Sequence, residues 1–180
     1  FSYYGSVFAG KVGITMSLVS AIFSIANIWM TTSNPAMNMY ASKKEWSKMD
    51  NLFKRMIFLS SSTFLLGIAL LLLIFVFFRD QFEFLNRFLS IIPIIMLSIT
   101  WFAQIFIVGI SIYLRAHKKE PLVLPSLVSG IYIAASTLLI VNFLPEEYLF
   151  LGFMSSLFFG LPWIIIIFNK KRKEWHSQIR

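Results

Sequence analysis

The chain has 180 residues, 58% of them hydrophobic and 13% charged, whereas a soluble domain carries about 25% charged residues; too little polar surface is present to cover a water-soluble body. Twenty Phe exclude a disordered chain, and the lack of Cys excludes disulfides, thiolate metal sites and cysteine nucleophiles. The formal net charge is +8, and its meaning depends on where the cations sit.

A helix crosses the hydrocarbon core with about 20 mostly apolar residues. Five runs meet that requirement, at residues 4–30, 56–78, 88–114, 122–144 and 148–168, followed by a tail at 169–180. They predict an all-α, polytopic transmembrane bundle forming a single domain. Strand-type alternation is absent, which argues against a β-barrel, and no repeat of 20–50 residues is visible.

In the first run Ser6, Gly10, Gly13, Ser17, Ser20, Ser24 and Asn27 recur every three or four residues, on one helix face. Such a face either packs closely on a neighbouring helix or lines a water-filled cavity. Lys11, the one charge in this run, lies roughly 150° from the centre of that face. An intramembrane lysine is costly unless solvated or paired. Its stem can carry the ammonium back to the interface, or it can face a cavity and receive an anion. Asn34-Pro35 predicts an end or a kink in the helix before it. Residues 42–55 place Trp46, Met49 and Phe53 at helical spacing among lysines, which predicts a short amphipathic helix on the membrane surface, an anchor or a lipid sensor. The second run is free of charge. The third contains Gln104 and is interrupted by Pro93. Pro121 suits the first turn of the fourth helix, with Glu120 favoured by its dipole.

The cations alternate. Five separate the first two runs (Lys43, Lys44, Lys48, Lys54, Arg55), two the next pair (Arg79, Arg87) and three the next (Arg115, Lys118, Lys119). None separates the fourth from the fifth, and five lie in the tail (Lys170, Lys171, Arg172, Lys173, Arg180). Arg79 and Arg87 are balanced by Asp80 and Glu83. By the positive-inside rule the first and third connections and the tail are cytoplasmic. The basic charge then marks orientation rather than a nucleic-acid surface. Five spans with a cytoplasmic tail put Phe1 outside, and with no initiator Met or signal peptide the expectation is a fragment whose earlier spans are missing.

Chemistry is hard to find. Gly5–Val12 nearly spells a P-loop, but Val12 stands where the Mg²⁺-holding hydroxyl belongs and no strand precedes it. His117 and His176 lack the neighbours of a zinc motif. All Asp and Glu lie in connections or the tail, so no carboxylate pair is placed for buried acid–base work. The expectation is neither an enzyme nor a cofactor protein.

The segment Tyr113-Leu-Arg115-Ala-His117-Lys118-Lys119-Glu120-Pro121, at the junction of two spans, resembles one in bacterial polysaccharide (O-antigen) flippases of the multidrug/oligosaccharidyl-lipid/polysaccharide exporter superfamily. Residues 4–55 also look like a hairpin of that family: an aromatic-Gly start, an early basic residue, Pro35 after the span, and a Lys-rich linker ending in Leu52-Phe53-Lys54-Arg55. The resemblance implies the C-terminal half of a two-bundle exporter in the cytoplasmic (inner) membrane, the second bundle without its first helix, with the first bundle as the alternative. Its cargo would be an undecaprenyl-diphosphate-linked oligosaccharide, moved by alternating access. Lys11 would then meet the diphosphate, and Asn27 and Gln104 would each hydrogen-bond sugar hydroxyls or else make an interhelical hydrogen bond. The implied partners are the lipid-linked oligosaccharide, membrane lipids and other polysaccharide-assembly membrane proteins. A drug/sodium antiporter of the same superfamily, a membrane-bound glycan polymerase or ligase and a channel-forming subunit remain as alternatives.

Overall fold

The computed structural model describes residues 4–79 and 81–177, with side chains through Trp175. Six α-helices follow one another: α1 (Gly5–Ser42), α2 (Trp46–Phe78), α3 (Ile91–Arg115), α4 (Val123–Phe143), the short α5 (Leu151–Ser155) and α6 (Leu157–Ser177). Two 3₁₀ turns, Glu83–Arg87 and Glu146–Tyr148, complete them, and no strand occurs among the described residues. Five helical segments are long and apolar enough to cross a membrane, the fifth combining the 3₁₀ turn Glu146–Tyr148 with α5 and α6.

The first two helices are longer than the sequence suggests. At 1.5 Å per residue α1 and α2 reach roughly 57 and 50 Å, against about 30 Å of hydrocarbon. Pro35 does not end α1, which continues to Ser42. An interior proline costs a hydrogen bond and a steric clash, about 3 kcal/mol. Complete burial of Met37 and the packing of Tyr40 and Ala41 on the same core offset it. The amphipathic surface helix is also corrected. Residues 46–55 are the first turns of α2, because no Gly or Pro separates them from the span. Their apolar side faces protein: Met49 is fully buried, and Trp46, Leu52 and Phe53 pack against the core. The two helices thus form one hairpin that overshoots the membrane.

The turn of that hairpin is a Schellman motif. Glu45 N–H donates to Tyr40 O at 3.0 Å and Lys44 N–H to Ala41 O at 3.2 Å, which closes the last carbonyls of α1. Lys44 occupies the left-handed position usually taken by glycine, with φ of 56°.

Pro93 and Pro125 sit in first turns, where the helix lacks acceptors for its first N–H groups. Pro93 does not interrupt a span but lies in the first turn of α3. In α4 it is Pro125, not Pro121, that fills the first turn; Glu120 is drawn away from the helix to pair with Arg115 at 3.2 Å. The fifth span breaks at Ser156 between α5 and α6, and α6 continues through Pro162 to Ser177, so most of the tail is helical.

α3 holds the bundle together. It contacts α1 and α2 on one side and α5 and α6 on the other, while α4 rests on α5 and α6. Accordingly 39% of its apolar window is buried against 11% for α4. Close helix approaches are made by Gly67, Gly109 and Gly152: a Cβ on Gly67 would stand 2.6 Å from Ile22 Cγ2, Gly109 faces Ile57 and Met30, and Gly152 faces Ser136.

Candidate functional site

The bundle has two chemically distinct ends. At one, the C-termini of α1, α3 and α6 meet the N-terminus of α2. Phe53, on the buried side of the α2 overshoot, meets Tyr113 edge-on and stacks on Phe168, with centroids 5.3 Å away in each case. One turn beyond, Tyr113 Oη donates to Asp50 Oδ1 at 2.9 Å. Arg172 of α6 donates to the same carboxylate through Nε at 3.2 Å and through Nη2. Asp50 therefore ties three helices together. Tyr113 is fully buried and Asp50 is half-buried, so the carboxylate takes the place of water for the phenol.

His117 continues this stack. Its ring lies 3.8 Å from Trp175 at 12° and 5.3 Å from Trp46 at 15°, with Tyr113 at 5.5 Å. His117 Nδ1 is 3.1 Å from Tyr113 O; a carbonyl only accepts, so Nδ1 carries the proton in this contact. The stack forms one wall of an open cavity of about 590 Å³, whose polar rim includes Lys44, Arg115 and Lys118. The described carboxylates of this end are all in ion pairs: Glu45 with Lys48 at 3.1 Å, Asp50 with Arg172, Glu120 with Arg115 at 3.2 Å, and Glu174 with Lys171 at 2.6 Å.

The opposite end is richer in phenylalanine contacts, although its small cavity also has charged groups in its lining. Phe75 and Phe84 each contact Phe88 edge-on. Leu89 N–H donates to the buried hydroxyl of Thr15 at 3.1 Å, and Tyr4 Oη donates to Leu144 O at 3.0 Å. Burial, and after it the nearby Glu146 carboxylate, hold the Tyr4 phenol above its usual range.

The three residues expected to bind substrate lie apart. Lys11 is half-buried at the phenylalanine-rich end, where a cavity of about 120 Å³ also receives Arg79, Glu146 and Glu147. Gln104 lines a different cavity of about 200 Å³ between α3, α4 and α6, with Ser126, Ser129 and Ser156. Asn27 lines neither; its Oδ1 is enclosed and has no hydrogen-bond partner among the described residues.

The small-residue face of α1 is open. Ser6, Gly10, Gly13, Ser17 and Ser24 are exposed, and a Cβ at Gly10 or Gly13 would meet nothing within 4 Å. Packing on a neighbouring helix is therefore not made within this chain. Ser20 and Ser24 donate to Ser17 O and Ser20 O, so part of that polarity is satisfied along α1 itself.

Asp50, Arg172 and Tyr113 were not singled out by sequence reasoning. The available signal was a lone aspartate in a basic run, since a carboxylate among lysines beside a span needs a partner. His176 and Arg180 lie outside the described side chains. No group of three His, Asp or Glu able to hold a metal occurs among the described residues. The chain matches no protein-family model, no curated protein and no solved structure.

Proposed function

We propose that the chain is one bundle of an exporter that moves an undecaprenyl-diphosphate-linked oligosaccharide across the bacterial cytoplasmic membrane, with its basic end in the cytoplasm. The observation that carries this reading is the open face of α1. A row of exposed Ser and Gly among apolar spans gains little from hydrocarbon, but it suits the wall of a hydrated cavity shared with a second bundle. In that arrangement sugars and diphosphate travel along the polar wall while the polyprenyl chain stays in the bilayer. Asn27, whose enclosed carbonyl lacks a partner, and Gln104 would serve as hydrogen-bonding groups, and Lys11 as a cation at the far mouth. The apolar runs hold no Asp or Glu, which favours this cargo over the cations of a drug/sodium antiporter. The resemblance of residues 113–121 to polysaccharide flippases points the same way.

Deleting the gene in its host tests the reading. Lipid-linked oligosaccharide should accumulate on the cytoplasmic leaflet and surface polysaccharide should fall; unchanged amounts of both would refute transport of this cargo. Orientation is tested separately with cysteines at the exposed positions Ser47 and Glu83. The first should react with an impermeant maleimide only after permeabilisation and the second in intact cells.

A further inference from the structure

We infer that the open cavity at the basic end binds a multiply charged phosphate group, such as a diphosphate, a site separate from the transport path proposed above and independent of it. Lys44, Arg115 and Lys118 line this cavity of about 590 Å³, and no carboxylate does. Of the three, Arg115 is already paired with Glu120 at 3.2 Å; every other described Asp and Glu of this end is in an ion pair with a cation outside the lining, which leaves the two lysines unneutralised. Lys44 and Lys118 have no ion-pair partner among the described residues. The positive-inside rule accounts for many cations on one side of a membrane. It does not account for three of them converging on one concavity with an acid-free lining.

Backbone geometry points the same way. Lys44 and Lys118 are the described non-glycine residues with positive φ, 56° and 57°, and both line the cavity. The turns after α1 and α3 would each form more easily with glycine. The floor is rigid, because the parallel rings of His117 and Trp175 tie the α3 turn to α6, and Trp46 brings in α2. A preorganised cluster of cations over a fixed floor recognises phosphate oxygens through charge-assisted hydrogen bonds. The phosphate could belong to a lipid headgroup, since residues 46–55 stand just beyond the uncharged run that begins at Met56, or to a soluble compound.

The test is calorimetric titration of the full chain with inorganic pyrophosphate in phosphatidylcholine nanodiscs. Saturable binding that weakens as salt is raised is expected. The double variant Lys44→Gly, Lys118→Gly should bind about tenfold more weakly while melting at or above the wild-type temperature, because glycine accepts both turns. Absence of saturable binding, or equal affinity in the well-folded double variant, overturns the site. Repeating the titration in nanodiscs that contain phosphatidylglycerol separates the sources. Competition by the lipid assigns a headgroup, and undiminished pyrophosphate binding assigns a soluble ligand.

Discussion

The two ends of the bundle are held by different chemistry. At the basic end a carboxylate, a guanidinium, a phenol, an imidazole and two indoles form one polar and aromatic assembly across α2, α3 and α6. At the opposite end phenylalanine contacts dominate, with isolated hydrogen bonds from Leu89 and Tyr4. Length explains the contrast. The α1–α2 hairpin overshoots the hydrocarbon by about 20 Å at the basic end, so its helices leave the bilayer and are held together by groups that tolerate water. The opposite end has short connections that stay close to the hydrocarbon, where phenyl rings suffice. The solvent at each end therefore selects which side chains can act as ties.

The sharpest way to break the contrast is Asp50→Ala. It removes the carboxylate that accepts the Tyr113 hydroxyl and pairs with Arg172, and should cost about 2 kcal/mol in reversible unfolding from detergent micelles. A double-mutant cycle with Arg172→Ala should show a coupling of at least about 0.5 kcal/mol; additive losses would mean that the three helices are not joined through this carboxylate. At the opposite end Thr15→Val keeps the shape and removes the acceptor of the buried Leu89 N–H, and should cost about 1 kcal/mol by the same measurement. Tyr4→Phe removes an exposed hydrogen bond to Leu144 and should change stability by less than about 0.5 kcal/mol. A larger loss there would show that the end depends on polar ties after all.

The open face of α1 supplies the smallest expected effect on stability. Gly13→Ala meets nothing within 4 Å and should be neutral or stabilise α1 by up to about 1 kcal/mol. Gly109→Ala, by contrast, pushes into Ile57 and should destabilise by about 1 kcal/mol or more. Equal responses at the two glycines would remove the distinction between an open face and a packed one.

Much of the fold was legible in the sequence, because burial in a bilayer requires long apolar runs and internally bonded backbone. The five spans and the gathering of cations into alternate connections follow from that requirement alone. Helix ends were less legible. Asn34-Pro35 reads as an end or a kink, and burial of Met37 against the core helps to carry α1 past it. Residues 42–55 read as a surface helix, since an apolar face has the same periodicity whether it meets lipid or protein. The small-residue face of α1 was likewise ambiguous, while the glycines that bring helices close, Gly67, Gly109 and Gly152, carried no pattern.

The candidate site divides in the same way. Lys11, Asn27 and Gln104 stand out in sequence because polar groups are rare in spans, yet they occupy three separate places. Asp50, Tyr113, His117, Arg172 and Trp175 come together although Asp50 and Arg172 are 122 residues apart. Composition and periodicity set what each segment does toward the bilayer, because lipid acts on every residue in the same way. Which side chains meet at a helix end depends on the lengths and rotations of several helices at once, and that is decided only when they pack.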